Sequence, residues 1–183
     1  MRILESAVLG YTGQALGVTI WGQQYLGSRF HLSYASNVTA VGGHLANDSD
    51  QSLFAAIIRL ASPLGLPAFP PRAIESSALA HALFTPPRPS GDVLIPLTVA
   101  LDAGDYALVF GGADSAVNFF PFGAQGTGVM PLNNSTFPTS SYFFGDAVQW
   151  TSDDNSLAGA RFVVEGNLSA APAPTAPTRL RMS

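Results

Sequence analysis

The stretch 93–112, VLIPLTVALDAGDYALVFGG, carries the clearest alternation of apolar and polar positions in the chain. Before a polar turn and again after it, every second residue is apolar: Val93, Ile95, Leu97, Val99 and Leu101, then Tyr106, Leu108 and Phe110. Successive side chains of a β-strand point to opposite faces, so this pattern predicts two strands with one buried face each.

The turn between these strands, Asp102-Ala103-Gly104-Asp105, is compatible with two connections. In a hairpin, Leu101 would face Tyr106 and the strands would pair with each other. The spacing Leu101-x-x-Gly104-x-Tyr106 also suits a tyrosine corner, in which the phenol bonds back to the upstream backbone and the chain crosses between sheets. Both connections give an all-β layered domain.

Other segments have strand-like patterns of different quality. A weak pattern lies at 7–9, and clearer ones lie at 18–21, 24–32, 37–45, 53–61, 142–144 with 148–150, and 160–165. The run 53–61, LFAAIIRLA, is apolar at nearly every position, which indicates a central strand covered on both faces. The four prolines of 62–72 predict an irregular loop. Residues 73–84 have the composition of a helix, but we expect a strand over 78–84.

The 183 residues suffice for one domain. We expect an all-β, two-sheet antiparallel β-sandwich, jelly-roll or Ig-like, with about 9–11 strands. The domain would span residues 1–168. Residues 169–183 are rich in Pro, Ala and Thr, which predicts a disordered tail.

Composition excludes several classes of function. The formal net charge is −4 and there is no basic cluster, which argues against binding to nucleic acid. The absence of cysteine excludes disulfides and thiol nucleophiles. No apolar run is long enough for a transmembrane helix, and Glu5 interrupts the apolar part of any N-terminal signal peptide.

Several blocks together resemble one group of exported bacterial proteins, which usually carry a C-terminal PEP-CTERM sorting signal. The blocks are QQYLGSRFHLS (23–33), VTAVGGHL (38–45), SLFAAIIRLASPLGLP (52–67), FTPPRPSGDVLIPLTVALDAGDYALVFGG (84–112), GVMPLNNS (128–135), SYFFGDAVQW (141–150) and GARFVVEG (159–166). The resemblance implies an extracellular or cell-surface β-sandwich from bacteria that make exopolysaccharide. It implies no catalytic residues, and the tail does not contain the Pro-Glu-Pro signal itself.

The histidines and acidic turns are the candidates for metal chemistry. His31 and His44 could face each other on neighbouring strands, although without a carboxylate they make a weak metal site, and His81 lies on a third strand. Asp48 and Asp50 resemble half of a calcium loop, and 153–155 is a second acidic turn. A structural calcium ion is thus one interpretation and ordinary solvated turns are the other. We expect no other cofactor.

Exposed aromatic side chains are the usual platform for sugar rings. Trp21, Tyr142 and Trp150 are candidates for such a platform, with Asn133 and Asn134 as polar partners. The alternative is that these rings belong to the core.

Three hypotheses follow. The first is a non-enzymatic secreted or surface-associated protein that associates with extracellular polysaccharide or with the cell surface. The second is a structural subunit that associates with copies of itself through strand edges. The third is a hydrolase without a recognisable motif, since the chain has neither Gly-x-Ser-x-Gly nor His-Glu-x-x-His. The oligomeric state does not follow from the sequence.

Overall fold

The computed structural model describes residues 1–10, 13, 16–21, 24–113, 119–133, 141–146, 148–152 and 157–169. These residues form one short helix, α1 (Ile74–Ser77), and twelve strands: β1 (Arg2–Glu5), β2 (Gly17–Ile20), β3 (Tyr25–Leu32), β4 (Ser36–Asn47), β5 (Leu53–Leu60), β6 (Ala78–Phe84), β7 (Gly91–Leu101), β8 (Gly104–Gly111), β9 (Gly128–Pro131), β10 (Tyr142–Gly145), β11 (Trp150–Ser152) and β12 (Phe162–Leu168). The predicted tail and the acidic turn 153–155 lie outside these residues, except for Ser169.

The strands form two antiparallel sheets of six strands each, which confirms the all-β two-sheet sandwich. Sheet I has the order β1-β12-β4-β9-β2, and β7 pairs with the other side of β4. Sheet II has the order β11-β10-β3-β8-β5-β6. The strand count exceeds the expected one because several strands have only three or four residues. The first strand also comes earlier than the pattern at 7–9 suggested.

The connection between β7 and β8 is a tyrosine corner. β7 ends at Leu101 in sheet I, and β8 begins at Gly104 in sheet II. The Tyr106 hydroxyl donates a hydrogen bond to the Asp102 carbonyl at 3.0 Å. Hairpin pairing of Leu101 with Tyr106 is therefore wrong, because β7 pairs with β4 while β8 lies between β3 and β5.

The segment 73–84 divides into one helical turn and a strand. Helix α1 contains only Ile74–Ser77, and β6 then pairs with β5 along its whole length. The strand predicted over 78–84 is confirmed. The hairpin of β10 with β11 and the central position of β5 are confirmed as well.

An inner core fills the space between the sheets. Its fully buried side chains come from both layers and include Val41, Leu45 and Phe162 of sheet I and Leu26, Ile57, Leu108 and Phe110 of sheet II. Phe110 packs against Phe162 with ring centroids 5.5 Å apart. This contact joins a central strand of each sheet.

A second cluster, the outer core, lies on the opposite face of sheet II. It includes Tyr25, Phe54, Ile58, Val109, Phe143 and Trp150 from the strands. Two segments outside the strands cover it, 62–77 through Leu66 and Ile74, and 119–123 through Phe119 and Phe122. Glu75 attaches the segment that contains Phe122, because its carboxylate accepts the Phe122 N–H at 2.5 Å. The inner strands β3, β5 and β8 of sheet II are therefore buried on both faces over most of their length.

Within the described ranges, no helix has the length and apolar character needed to cross a bilayer.

Candidate functional site

The aromatic residues predicted to bind sugar do not form one platform. Trp21 is exposed and follows β2 at an edge of sheet I, whereas Trp150 lies in β11 at an edge of sheet II. Tyr142 is wrong as a platform residue because it is fully buried and its hydroxyl donates to the Ser6 carbonyl at 2.9 Å. The Asn133 amide donates to the Leu9 carbonyl at 2.7 Å, and Asn134 is outside the described residues.

Trp150 instead borders a shallow depression on the outer face of sheet II, which we call the Trp150 depression. Its volume is about 430 Å³, and its lining comes from two segments: Leu66, Pro67, Phe69 and Pro70 of the proline-rich loop, and Val148, Gln149 and Trp150 of the β10–β11 hairpin. None of these side chains carries a charge. The depression therefore offers an apolar surface with one amide side chain.

The proline-rich loop is held against sheet II by two side chains from the strands. The indole Nε1 of Trp150 donates to the Phe69 carbonyl at 2.6 Å. The Nε of Arg29, on β3, donates to the Gly65 carbonyl at 2.7 Å. Proline has no backbone N–H, so the proline-rich loop can form few backbone hydrogen bonds with a neighbouring strand. Hydrogen bonds from these two side chains to the loop carbonyls attach the loop to the sheet instead.

Arg29 links the loop to the two neighbouring strands. Its Nη1 donates to the Tyr142 carbonyl at 2.9 Å and its Nη2 to the Ser152 hydroxyl at 3.1 Å, while the guanidinium lies 5.0 Å from the Phe143 ring centre. Burial lowers the pKa of Arg29, because desolvation disfavours the charged form. The ordinary pKa of arginine is so high that the group stays charged at neutral pH.

The hairpin side of the depression is fixed by its own turn. The Asp146 carboxylate accepts the backbone N–H groups of Val148 and Gln149, each at 2.8 Å. Gly145 lies opposite Trp150 in the ladder, and a Cβ atom there would come within 2.6 Å of the indole. The glycine thus lets the Trp150 ring lie flat on the strand, where only 9% of the residue stays exposed.

Phe69 and Val148 are the exposed large apolar side chains of the depression. The depression lies within the range of about 300–1,000 Å³ that is usual for ligand pockets, although it is shallow. An apolar surface with a nearby amide can pack against the C–H face of a sugar ring and bond one hydroxyl, here through Gln149. Among the described residues that line the depression, no side chain offers a counter-charge to a charged ligand.

The loop with Asp48 and Asp50 directs its oxygens at an arginine. Asn47 shapes the loop by accepting the N–H groups of Ser49 and Asp50, each at 2.8 Å. Arg88 then donates to the Asn47 carbonyl at 2.8 Å, to the Asp50 carboxylate at 3.3 Å and to the Asp48 carbonyl. A calcium ion using these oxygens would have to displace the guanidinium.

In the described ranges, no three His, Cys, Asp or Glu residues come together in a group that could hold a metal. His31 is on β3 in sheet II and His44 is on β4 in sheet I, so the expectation that they face each other on neighbouring strands is wrong. His81 stacks on Phe122, with ring centroids 4.0 Å apart.

His31 forms a pair with a carboxylate, its Nδ1 lying 2.7 Å from an Asp105 oxygen. The two residues border a cleft of about 180 Å³ that Ser141 also lines. In the part of the chain that the structure describes, no hydrogen bond joins Ser141 to His31. A hydrolase remains a hypothesis on this geometry.

Neither family models nor curated proteins give a match to this chain. The resemblance of its sequence blocks to exported bacterial proteins therefore stays a prediction.

Proposed function

We propose that this protein is a non-enzymatic bacterial module, secreted or held at the cell surface, that binds uncharged polysaccharide at the Trp150 depression. The observation that carries the proposal is an apolar, charge-free surface whose two sides are fixed by Trp150, Arg29 and Asp146. The extracellular setting is the part that rests on the resemblance of the sequence blocks.

The fixed geometry favours binding because the residues that line the depression are already ordered before a ligand binds. Phe69 and Val148 are exposed although they lie beside a well-packed core, and their backbone positions are set by hydrogen bonds. A ligand that covers them loses little conformational entropy on the protein side. Polysaccharides repeat the same ring many times, so weak single contacts add up along a chain.

Affinity electrophoresis tests the proposal. The protein is run in native gels that contain dextran, a neutral polysaccharide, or alginate, an anionic one. We expect dextran to retard the wild-type protein and alginate to leave its relative mobility unchanged, because the depression has no cationic side chain.

Phe69→Ala removes the exposed ring of the depression and should weaken dextran binding by about fivefold, corresponding to about 1 kcal/mol. Phe120→Ala is the matched control, since Phe120 is a phenylalanine of similar exposure outside the depression, 40% against 52% for Phe69. Equal retardation of both variants and the wild type, or no retardation of any of them, would contradict the proposal.

The structural-subunit hypothesis is supported by a different surface, the free edge of β6. The hydrolase hypothesis is supported only by the His31–Asp105 pair.

A further inference from the structure

Among the described strands, five lie at the edge of a sheet, and four of these are protected by charge, shortness or proline against pairing with another chain. In sheet I, β1 carries the ion pairs of Arg2 with Glu5 and Glu165, each at 2.8 Å. Strands β2 and β11 have only four and three residues. Strand β7 contains Pro96 and a register shift in its pairing with β4. Charge, shortness, proline and bulges are the usual protections of an edge strand.

Strand β6 has one of these protections, a register shift in its pairing with β5 between Ile57 and Ile58, but none of the others. Its sequence is ALAHALF, seven residues without a charge, a proline or a glycine. One side pairs with β5, and no other described strand pairs with its free side. An edge strand presents unpaired N–H and C=O groups on every second residue, so this side is able to accept another strand.

The side chains of β6 extend the surface available to a partner. Ala80, Ala82 and Phe84 pack into the inner core, so the alternate residues Leu79, His81 and Leu83 point to the outer face. Leu79 and Leu83 are 48% and 45% exposed. Two half-exposed leucines beside an open backbone edge are costly to leave in water.

We propose that the free edge of β6 pairs with the same edge of a second copy of this chain, antiparallel, about a two-fold axis at His81. The edge has no charge, so two identical edges meet without repulsion. His81 is the central residue of Ala78–Phe84, and pairing about it places Leu79 of each copy opposite Leu83 of the other. Sheet II becomes continuous across the two copies.

The contact is small. Seven residues on each side compare with the roughly 20–30 residues on each side of a standard interface, so we expect a dimer that dissociates in the micromolar range. The association does not depend on polysaccharide binding, because β6 does not line the Trp150 depression.

Disulfide trapping tests the register. The chain has no cysteine, so His81→Cys introduces a single thiol. Residues opposite each other in an antiparallel pair have Cα atoms about 4.5–5.5 Å apart, within the range that a disulfide requires. Diamide accepts the two electrons and two protons released as the S–S bond forms. We expect His81→Cys to form covalent dimers at least tenfold faster than Leu94→Cys, the matched control on the edge strand β7.

Sedimentation equilibrium tests the association without a crosslink. Leu83→Lys places a charge on the proposed edge, and Leu94→Lys places the same charge on β7 at similar exposure, 45% against 51%. We expect a dimer for the wild type and Leu94→Lys and a monomer for Leu83→Lys, with unchanged circular dichroism for all three. A wild type that stays monomeric at millimolar concentration overturns the proposal, as does trapping of His81→Cys no faster than that of Leu94→Cys. A wild-type monomer that binds an added extended peptide instead also excludes the second copy as the occupant.

Discussion

The two faces of sheet II are buried in different ways. The inner face packs against sheet I through apolar side chains that interlock, such as Phe110 with Phe162. The outer face packs against loops, which polar groups hold in place: Arg29, Trp150 and Glu75 each bond to the backbone of a covering segment. Hydrophobic contact fixes the first face, and a few directed hydrogen bonds fix the second.

Under the proposed function, stability and ligand binding therefore depend on different faces of one sheet. A change in the inner core affects the whole fold, because it removes contacts shared by both sheets. A change in the loop cover acts locally and can reshape the Trp150 depression while the sandwich persists. The candidate site lies on the face of sheet II where substitutions are expected to lower the stability of the fold least.

The largest effect is expected in the inner core. Phe110→Ala removes a fully buried ring between the sheets and should lower the free energy of unfolding by about 3–5 kcal/mol. Urea denaturation followed by circular dichroism measures this loss. Phe120→Ala, at an exposed phenylalanine, should change stability by less than about 1 kcal/mol. Similar losses for both would mean that Phe110 is not enclosed as described.

A smaller loss of stability, concentrated in the proline-rich loop, is expected when Arg29 is replaced. Arg29→Met removes the bonds to Gly65, Tyr142 and Ser152 and leaves buried backbone oxygens unsatisfied, so we expect a loss of about 2–3 kcal/mol. Limited proteolysis should then cut the loop 62–70 before the sandwich unfolds.

Arg59→Met is the control for Arg29, since Arg59 is exposed on β5 and only lies over the Tyr106 ring at 5.8 Å. It should cost less than about 1 kcal/mol and leave the loop resistant to protease. If Arg29→Met leaves the loop equally resistant, hydrogen bonds from Arg29 do not hold the cover.

The smallest change in stability is expected for Trp150→Phe. It keeps an aromatic ring but removes the N–H that bonds to the Phe69 carbonyl, so we expect a loss of about 1 kcal/mol. Hydrogen exchange in 62–70 should become faster, and dextran binding should weaken because Phe69 is less well placed. Trp21→Phe, at an exposed tryptophan, should change neither the hydrogen exchange of 62–70 nor dextran binding. Effects of equal size in both variants would show that the bond from Trp150 to Phe69 does not position the loop.

Alternation predicts which face a residue lies on, but not which strand it pairs with. This is why the pattern of 93–112 placed two strands correctly and still allowed a hairpin, whereas the chain crosses between sheets at Tyr106. The bounds of β6 were predictable because the prolines after Phe84 end the strand.

The site residues were harder to predict because loops cover one face of sheet II. Arg29 stands at an outward position of β3, where sequence patterns suggest solvent, yet the proline-rich loop buries it. Tyr142 was a candidate for the platform, with the core as the alternative, and it lies in the inner core between the sheets. Among the proposed platform residues that the structure describes, Trp150 alone borders the depression, and its partner Phe69 comes from a loop without any periodic signal.

The central claim is that the loop-covered face of sheet II is the binding face, and NMR titration tests it most directly. Dextran oligosaccharides are added to the ¹⁵N-labelled protein, and the amide shifts are followed. We expect the amides of Leu66, Phe69, Val148 and Gln149 to move together with one dissociation constant, while those of β4 and β12 stay unchanged. Shifts confined to other surfaces, or no shifts at saturating ligand, would contradict the account.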